Sequence, residues 1–213
     1  MKRILSHLLS AALLLFPITL WAQQTTTQSK TPATTTAAAT PATGPEKYTL
    51  DPNHTYVLWF VNHMGFSTQV GKFPASGSLV VDEKNPQNSN VNVSIDVSKP
   101  ITGVPKLNEH LMSKDFFDVA KFPTATFVSD KVDLVNGKSG KVSGTLTLHG
   151  ISKPVVLDVH ITGIGVSPIT QKKTIGFSAT TYVKRSDYGI SAYLPGLRND
   201  VRLIIGGEAN LAQ

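Results

Sequence analysis

The sequence predicts an all-β fold, an antiparallel meander closed into a barrel or else packed as a sandwich, with one short helix between strands. Three observations predict it. Apolar and polar residues alternate with period two through most of the chain after residue 55. The alternating stretches are separated by short runs rich in Gly, Asn, Pro and Ser. One segment, Pro105 to Pro123, breaks the alternation. Period two sends successive side chains to opposite sheet faces, and short turns between such strands join neighbours antiparallel.

The first 22 residues read as an export signal, with Lys2 and Arg3 ahead of the apolar run ILSHLLSAALLLFPITLW and cleavage expected after Ala22. Leu20 stands where a small residue is usual three before the cut, so an uncleaved anchor is the alternative reading. Gln23 to Glu46 contains no large apolar residue, cannot offset the entropy of folding, and reads as a disordered Thr/Ala/Pro-rich spacer. The folded part is then Lys47 to Gln213, ample for one core.

The first strand, Tyr56 to His63, is apolar on both faces. Val57, Trp59, Val61 and His63 share one, and Tyr56, Leu58 and Phe60 share the other. Parity alone does not say which face points inward, and the outer one needs a cover, from the helix or a second copy of the chain. Gly77 to Val81 follows, then VNVSIDV with Val91, Val93, Ile95 and Val97 on one face. Pro105 to Pro123 places Leu107, Leu111, Phe116 and Phe117 at helix-like spacing, so it reads as a short helix stopped before Pro123 and able to lid a barrel. Thr124 to Asp130 is the next strand. KVSGTLTLH (Val142, Leu146, Leu148), VVLDVHI, TIGFSATTYV and DVRLIIGGEA complete about eight. The runs DEKNPQNS, VNGKSGK, LHGISKP and VSPITQKK carry the residues that turns require.

Composition narrows the function. The chain has 213 residues, no cysteine and a formal charge of +6, two units of it from Lys2 and Arg3. No basic run lies beside stacking aromatics, so no nucleic-acid groove is expected. Without cysteine there are no disulfides, thiolate metal sites or thiol nucleophile. The histidines His54, His63, His110, His149 and His160 show neither H-x-H spacing nor HExxH, and no metal centre is expected. His149 and His160 fall on the polar sides of their strands and read as solvated. His63 ends an apolar stripe, which suits a rim histidine or a ligand contact. G-x-S-x-G, the P-loop and the dinucleotide fingerprint are missing, and nothing forces Glu109 and Asp115 to converge, so no enzyme activity is expected. In YVKRSDYGISAYLPGL, Arg185 and Asp187 either tie a bend together, with Gly189 allowing the turn, or present Arg185 to a polar head group.

The ordered series YTLDPNHTYVLWFVNHMGFSTQVGKF, SIDV, EHLMSKDFFDVAKFPTATF, GTLTLHGISKPVVLDV, GFSATTYVKRSDYGI and NDVRLIIGGEANL resembles the YceI-like proteins, a bacterial periplasmic polyisoprenoid-binding family, from about Tyr48 to Leu211. The resemblance implies an eight-stranded, lipocalin-like antiparallel barrel in the periplasm, without an established catalytic role. Its interior would hold one long-chain amphiphile: a polyprenyl chain, a quinone or a fatty amide. Carried over by position, the lining is Trp59, Val61, Phe116, Phe117, Phe127, Leu146, Leu148, Phe177 and Leu203, with His63, His110, Arg185 and Asp187 toward the head group. No cofactor is implied beyond the bound isoprenoid lipid or quinone, and the partners expected are that lipid, a transient membrane contact and a homodimer mate. The family's Arg-Asp before Glu-His-Leu is here Leu107-Asn108, a common Arg after that Leu is Met112, and His-Ser is His54-Thr55. Lost charge at the helix favours a neutral head over a pyrophosphate. The rival reading is a packed barrel, structural or stress-responsive, that works through protein contacts.

Overall fold

The computed structural model describes residues 44–212, so the expected leader and nearly all of the spacer lie outside the described residues. Nine strands follow one another: β1 (Glu46–Leu50), β2 (Tyr56–His63), β3 (Ser67–Val81), β4 (Asn90–Asp96), β5 (Thr124–Val135), β6 (Ser139–Leu148), β7 (Ile151–Val166), β8 (Lys173–Lys184) and β9 (Leu197–Leu211), with helix α1 (Pro105–Met112) between β4 and β5. Each of β2 to β9 pairs antiparallel with the next, and β9 returns to β2. The sheet is a closed eight-stave barrel, because β1 and β2 are two lengths of one stave, both lying between β3 and β9. Closure removes every free sheet edge.

Several strands exceed the expectation from sequence: β5 runs on past Asp130 to Val135, and β7 begins at Ile151, inside the LHGISKP run that reads as a turn. β3 starts at Ser67 rather than Gly77, because Gly71 and Pro74 read as punctuation but serve the sheet. Gly71 pairs with Trp59, and a side chain there would overlap the indole ring, so the missing Cβ leaves the recess against which Trp59 lies. Glu46, read as the end of the spacer, opens β1, whose five residues EKYTL are too short to show a period.

The helix is shorter than expected. Pro105 occupies its first turn, where no backbone N–H is needed, and Asn108 Oδ1 accepts from Thr102 N (3.1 Å) and Thr102 Oγ1 (2.7 Å) to hold the entry. It stops at Met112, where the backbone and hydroxyl of Ser113 both donate to His110 O. Phe116 and Phe117 therefore sit on the turns that follow. Both reach the core beneath the helix together with Leu107 and Leu111.

This arrangement answers what covers the outer face of β2. The helix lies over one end of the barrel instead, and the cover comes from adjacent strands. Leu58 stands between Lys72 and Ile204, Phe60 between Val70 and Arg202, and Lys72 Nζ lies 5.5 Å above the Tyr56 ring. Long side chains shield apolar surface with their stems while their charges stay wet, and all three outer residues are half-buried.

The interior has two apolar clusters. The larger runs from the middle of the barrel to the helix end. The smaller, Tyr48, Leu50, Leu79, Ile175 and Ala209, fills the far end. There Lys173 Nζ lies 2.7 Å from Glu46 Oε2 and 2.6 Å from Glu83 Oε1, and Tyr48 donates to Glu46 at 2.7 Å. Burial alone disfavours the Glu46 charge, but the Lys173 and Tyr48 hydrogen bonds and the Lys173 charge outweigh it and hold the carboxyl below its ordinary range. Lys173 moves upward for the matching reason: burial opposes its charge, and both carboxylates more than compensate.

Candidate functional site

Alternation gives the barrel an inner surface of Val, Leu, Ile and Phe, and that surface is not fully packed. Two chambers lie inside it. The upper, of about 380 Å³, sits beneath α1, and the lower, of about 230 Å³, reaches toward the β3–β4 loop. Protein interiors seldom hold voids larger than a water molecule, so this barrel is packed far less completely than an ordinary core.

The inward face of β2 lines the upper chamber with Val57, Trp59, Val61 and His63. The β2–β9 register breaks between Val61 and His63, and His63 is exposed at that end of the chamber, which is its mouth. Phe116, Phe117, Leu148, His110 and Arg185 line the same chamber, Phe127 and Phe177 the lower one, and Leu146 and Leu203 both. Asp187 lines neither: it is exposed on the turn Arg185–Tyr188, and no bond joins it to Arg185.

Arg185 is buried and acts as the knot of its bend. Its Nε donates to Arg198 O (3.0 Å), Nη1 to Ile190 O (3.0 Å) and Nη2 to Leu197 O (2.7 Å), so each nitrogen already holds a carbonyl. Burial without a carboxylate partner lowers its pKa. Gly189 closes the turn at φ +74°, a left-handed conformation that glycine adopts without strain. The Asp187 charge falls instead on Tyr188, whose phenol burial, helped by that charge, pushes up to about 12.

Polar groups gather at the mouth. His110 Nε2 lies 3.4 Å from both Tyr193 Oη and Asp115 Oδ2, and the His110 ring stands edge-on to Phe116 and Tyr193 at 5.0 and 5.7 Å. Gln69 and His63 complete the polar rim of the chamber. Outside it, the β2–β3 tip exposes Phe66, 92 % accessible, beside Met64, and the β8–β9 loop exposes Tyr193 and Leu194. Met64 N–H donates to Gly196 O (2.9 Å), which ties the two tips together.

Sequence reasoning missed Phe73, Leu107, Leu111, Ile190, Tyr193 and Leu197 as chamber lining. Tyr193, Leu197 and Ile190 lie in or beside a loop without period, where no pattern gives direction. His149, read as solvated, is half-buried. Its φ of +52° on the β6–β7 turn tucks the ring against Phe122, 4.7 Å away, with Nδ1 3.0 Å from Tyr188 O. His160 is exposed and meets Ser139 Oγ at 2.8 Å. Among the described residues, one group has metal-ligand composition, Asp51, His54 and Glu208. Its short contact is an ordinary exposed ion pair, His54 Nδ1 to Asp51 Oδ2 at 2.9 Å.

A family model described as YceI-like domain matches residues 48–209. The Salmonella arizonae protein YceI is 37% identical over 156 residues, which cover 73% of this chain and 81% of that protein. Among solved structures, the Campylobacter jejuni YceI protein superposes with a TM-score of 0.65 at 32% identity, covering 71% of this chain and 90% of that one. A polyisoprenoid-binding domain from Saccharophagus degradans, at 18% identity and a TM-score of 0.58, shares the fold and covers 78% of this chain and 98% of its own.

Proposed function

The chain belongs to the YceI-like family, and from that premise we propose that it is a non-catalytic carrier that holds one long-chain amphiphile inside its barrel, an isoprenoid lipid, quinone or fatty amide. We place this work in the periplasm, as storage or transport. The observation that carries the reading is the pair of apolar chambers of about 380 and 230 Å³ along one barrel interior. A fully packed barrel working only through its surface has no use for that space. A buried tail that loses about 400 Å² of apolar surface to the wall gains on the order of 10 kcal/mol before ordering costs are subtracted.

The head group we assign is neutral. The one buried cation among the described lining residues, Arg185, spends three of its five N–H donors on backbone carbonyls, which anchors it in its own bend. The remaining polar rim of His63, Gln69, His110 and Tyr193 suits a carbonyl or amide. Leu107, which stands where the family commonly has a charge, lines the chamber as another apolar wall. The exposed Phe66, Met64, Tyr193 and Leu194 around the mouth suit brief contact with a bilayer during loading.

Trp21 and Trp59 are the only tryptophans, so a Trp21→Phe form reports from the upper chamber alone. Titration with an isoprenoid quinone is expected to quench Trp59 emission saturably at one ligand per chain. Unchanged emission with no calorimetric binding would refute the carrier reading. The neutral-head assignment fails if a polyprenyl pyrophosphate displaces the quinone at equal or lower concentration.

A further inference from the structure

The two chambers share four lining residues, Val57, Ile95, Leu146 and Leu203. They come from β2, β4, β6 and β9, which spreads them around the circumference of the wall rather than along one side. Three of the four are more than nine-tenths buried and Leu203 packs against the same cluster, so all four belong to the inner wall where the two chambers meet. Beyond them the lower chamber is the smaller one. Its acidic residues are already engaged: Asp82 by Lys84 N, Asn85 N and Asn88 Nδ2, and Glu83 by Lys173. The far end is filled by Tyr48, Leu50, Ile175 and Ala209, each 2 % accessible or less.

We propose that these four side chains form a waist that selects ligands by their tails, passing one extended chain into the lower chamber and stopping a head group or a second chain above it. The inference rests on the carrier reading and deepens it. A ring or amide head stays in the upper chamber beside His63, Gln69 and His110, where the polar partners are. The tail crosses the waist into the lower chamber, whose smaller volume limits how much of it is buried. The ligand class that follows is a single-tailed amphiphile whose tail outreaches the upper chamber. A diacyl phospholipid, whose second chain has no passage, is rejected.

The test uses the full-length protein and three probes: a quinone with one isoprene unit, the same quinone with a tail of about eight, and a diacyl phosphatidylcholine. The unmodified protein is expected to bind the long tail about a hundredfold tighter than the short one, the equivalent of roughly 110 Å² of further apolar burial at ~25 cal/mol per Å². It should bind the phospholipid least. Val57→Phe, and independently Leu146→Phe on another part of the ring, should cut long-tail affinity at least about tenfold more than short-tail affinity; both residues also border the upper chamber, so the ratio between the two quinones, not either affinity alone, reads the waist. Thermal melts confirm that each variant is folded, and the second guards against collapse of the first. Equal affinity of the unmodified protein for both quinones, tight phospholipid binding, or folded variants that keep the long-tail preference would each overturn the waist. Failure of every probe to bind the unmodified protein would overturn the carrier reading itself, and the waist with it.

Discussion

Replacing Gly71 with valine tests the construction of the upper chamber wall. Gly71 and Trp59 are cross-strand partners, and a Cβ at position 71 would overlap the benzo carbons and Nε1 of the indole. The backbone there is not left-handed, so valine meets no conformational penalty, and its strand propensity is worth up to ~1 kcal/mol in its favour. Against that, the rigid ring must leave the wall, an overpacking cost of about 2–3 kcal/mol. The net loss of about 1–2 kcal/mol corresponds to a fall in Tm of roughly 2–8 °C for a domain of this size. The displaced indole also enters the chamber, so Trp59 emission shifts and quinone affinity falls about tenfold or more. The control is the same substitution in a Trp59→Leu background, where no ring is left to displace and valine becomes neutral or stabilising. Circular-dichroism melts of the four proteins give the coupling, expected at about 1.5–3 kcal/mol. Additivity within ~0.4 kcal/mol would refute the claim that Gly71 exists to seat the indole.

Other outcomes follow from the same geometry. Arg185→Lys keeps the charge but cannot fork to three carbonyls, and should cost about 2 kcal/mol, read as a Tm fall of roughly 4–8 °C. Lys173→Met leaves Glu46 and Glu83 facing each other without their cation and should cost about 3 kcal/mol, the low end for breaking a buried pair because both carboxylates keep some water. For pH, the lowered Glu46 contributes stability above its ordinary value of 4.5 and loses it as pH falls through its lower folded value. The raised Lys173 contributes below 10.5 and loses it only as pH rises through its higher folded value. This cluster should therefore add no pH dependence to the melting temperature across the neutral range and lower it in acid, and the acid drop should shrink in Glu46→Gln. Phe66→Ser should leave the melt within about 1 °C, since the side chain is 92 % accessible, while slowing quinone transfer from phosphatidylcholine vesicles. Unchanged transfer would remove the bilayer contact from the account.

Alternation made the inner wall legible because parity divides each strand of a closed barrel into one lumen face and one outer face, while the choice between the two came from the family resemblance. Once β2 was read as a strand, Trp59 and Val61 had to lie on one face, and that face lines the chamber. Parity failed where the backbone leaves the ladder. His149 was assigned by strand parity but sits on the turn past the end of β6, where a positive φ redirects it inward. Asp187 was grouped with Arg185 by adjacency, yet on a tight turn neighbours two apart point away from each other, and Arg185 chose carbonyls from β9 and Ile190. The first half of β3 was hidden because Gly71 and Pro74 look like turn residues when the partner they accommodate is unseen. The helix was read too long because Phe116 and Phe117 keep an apolar spacing that a set of turns presents equally well to the core.

The most direct test of a barrel that carries a lipid is what the protein contains when taken from its own cell. Protein purified from the native host without detergent, extracted with organic solvent and analysed by mass spectrometry, is predicted to yield one single-tailed, long-chain lipid per chain, with a neutral head. Reproducibly empty protein that also excludes added quinone and polyprenol would contradict it.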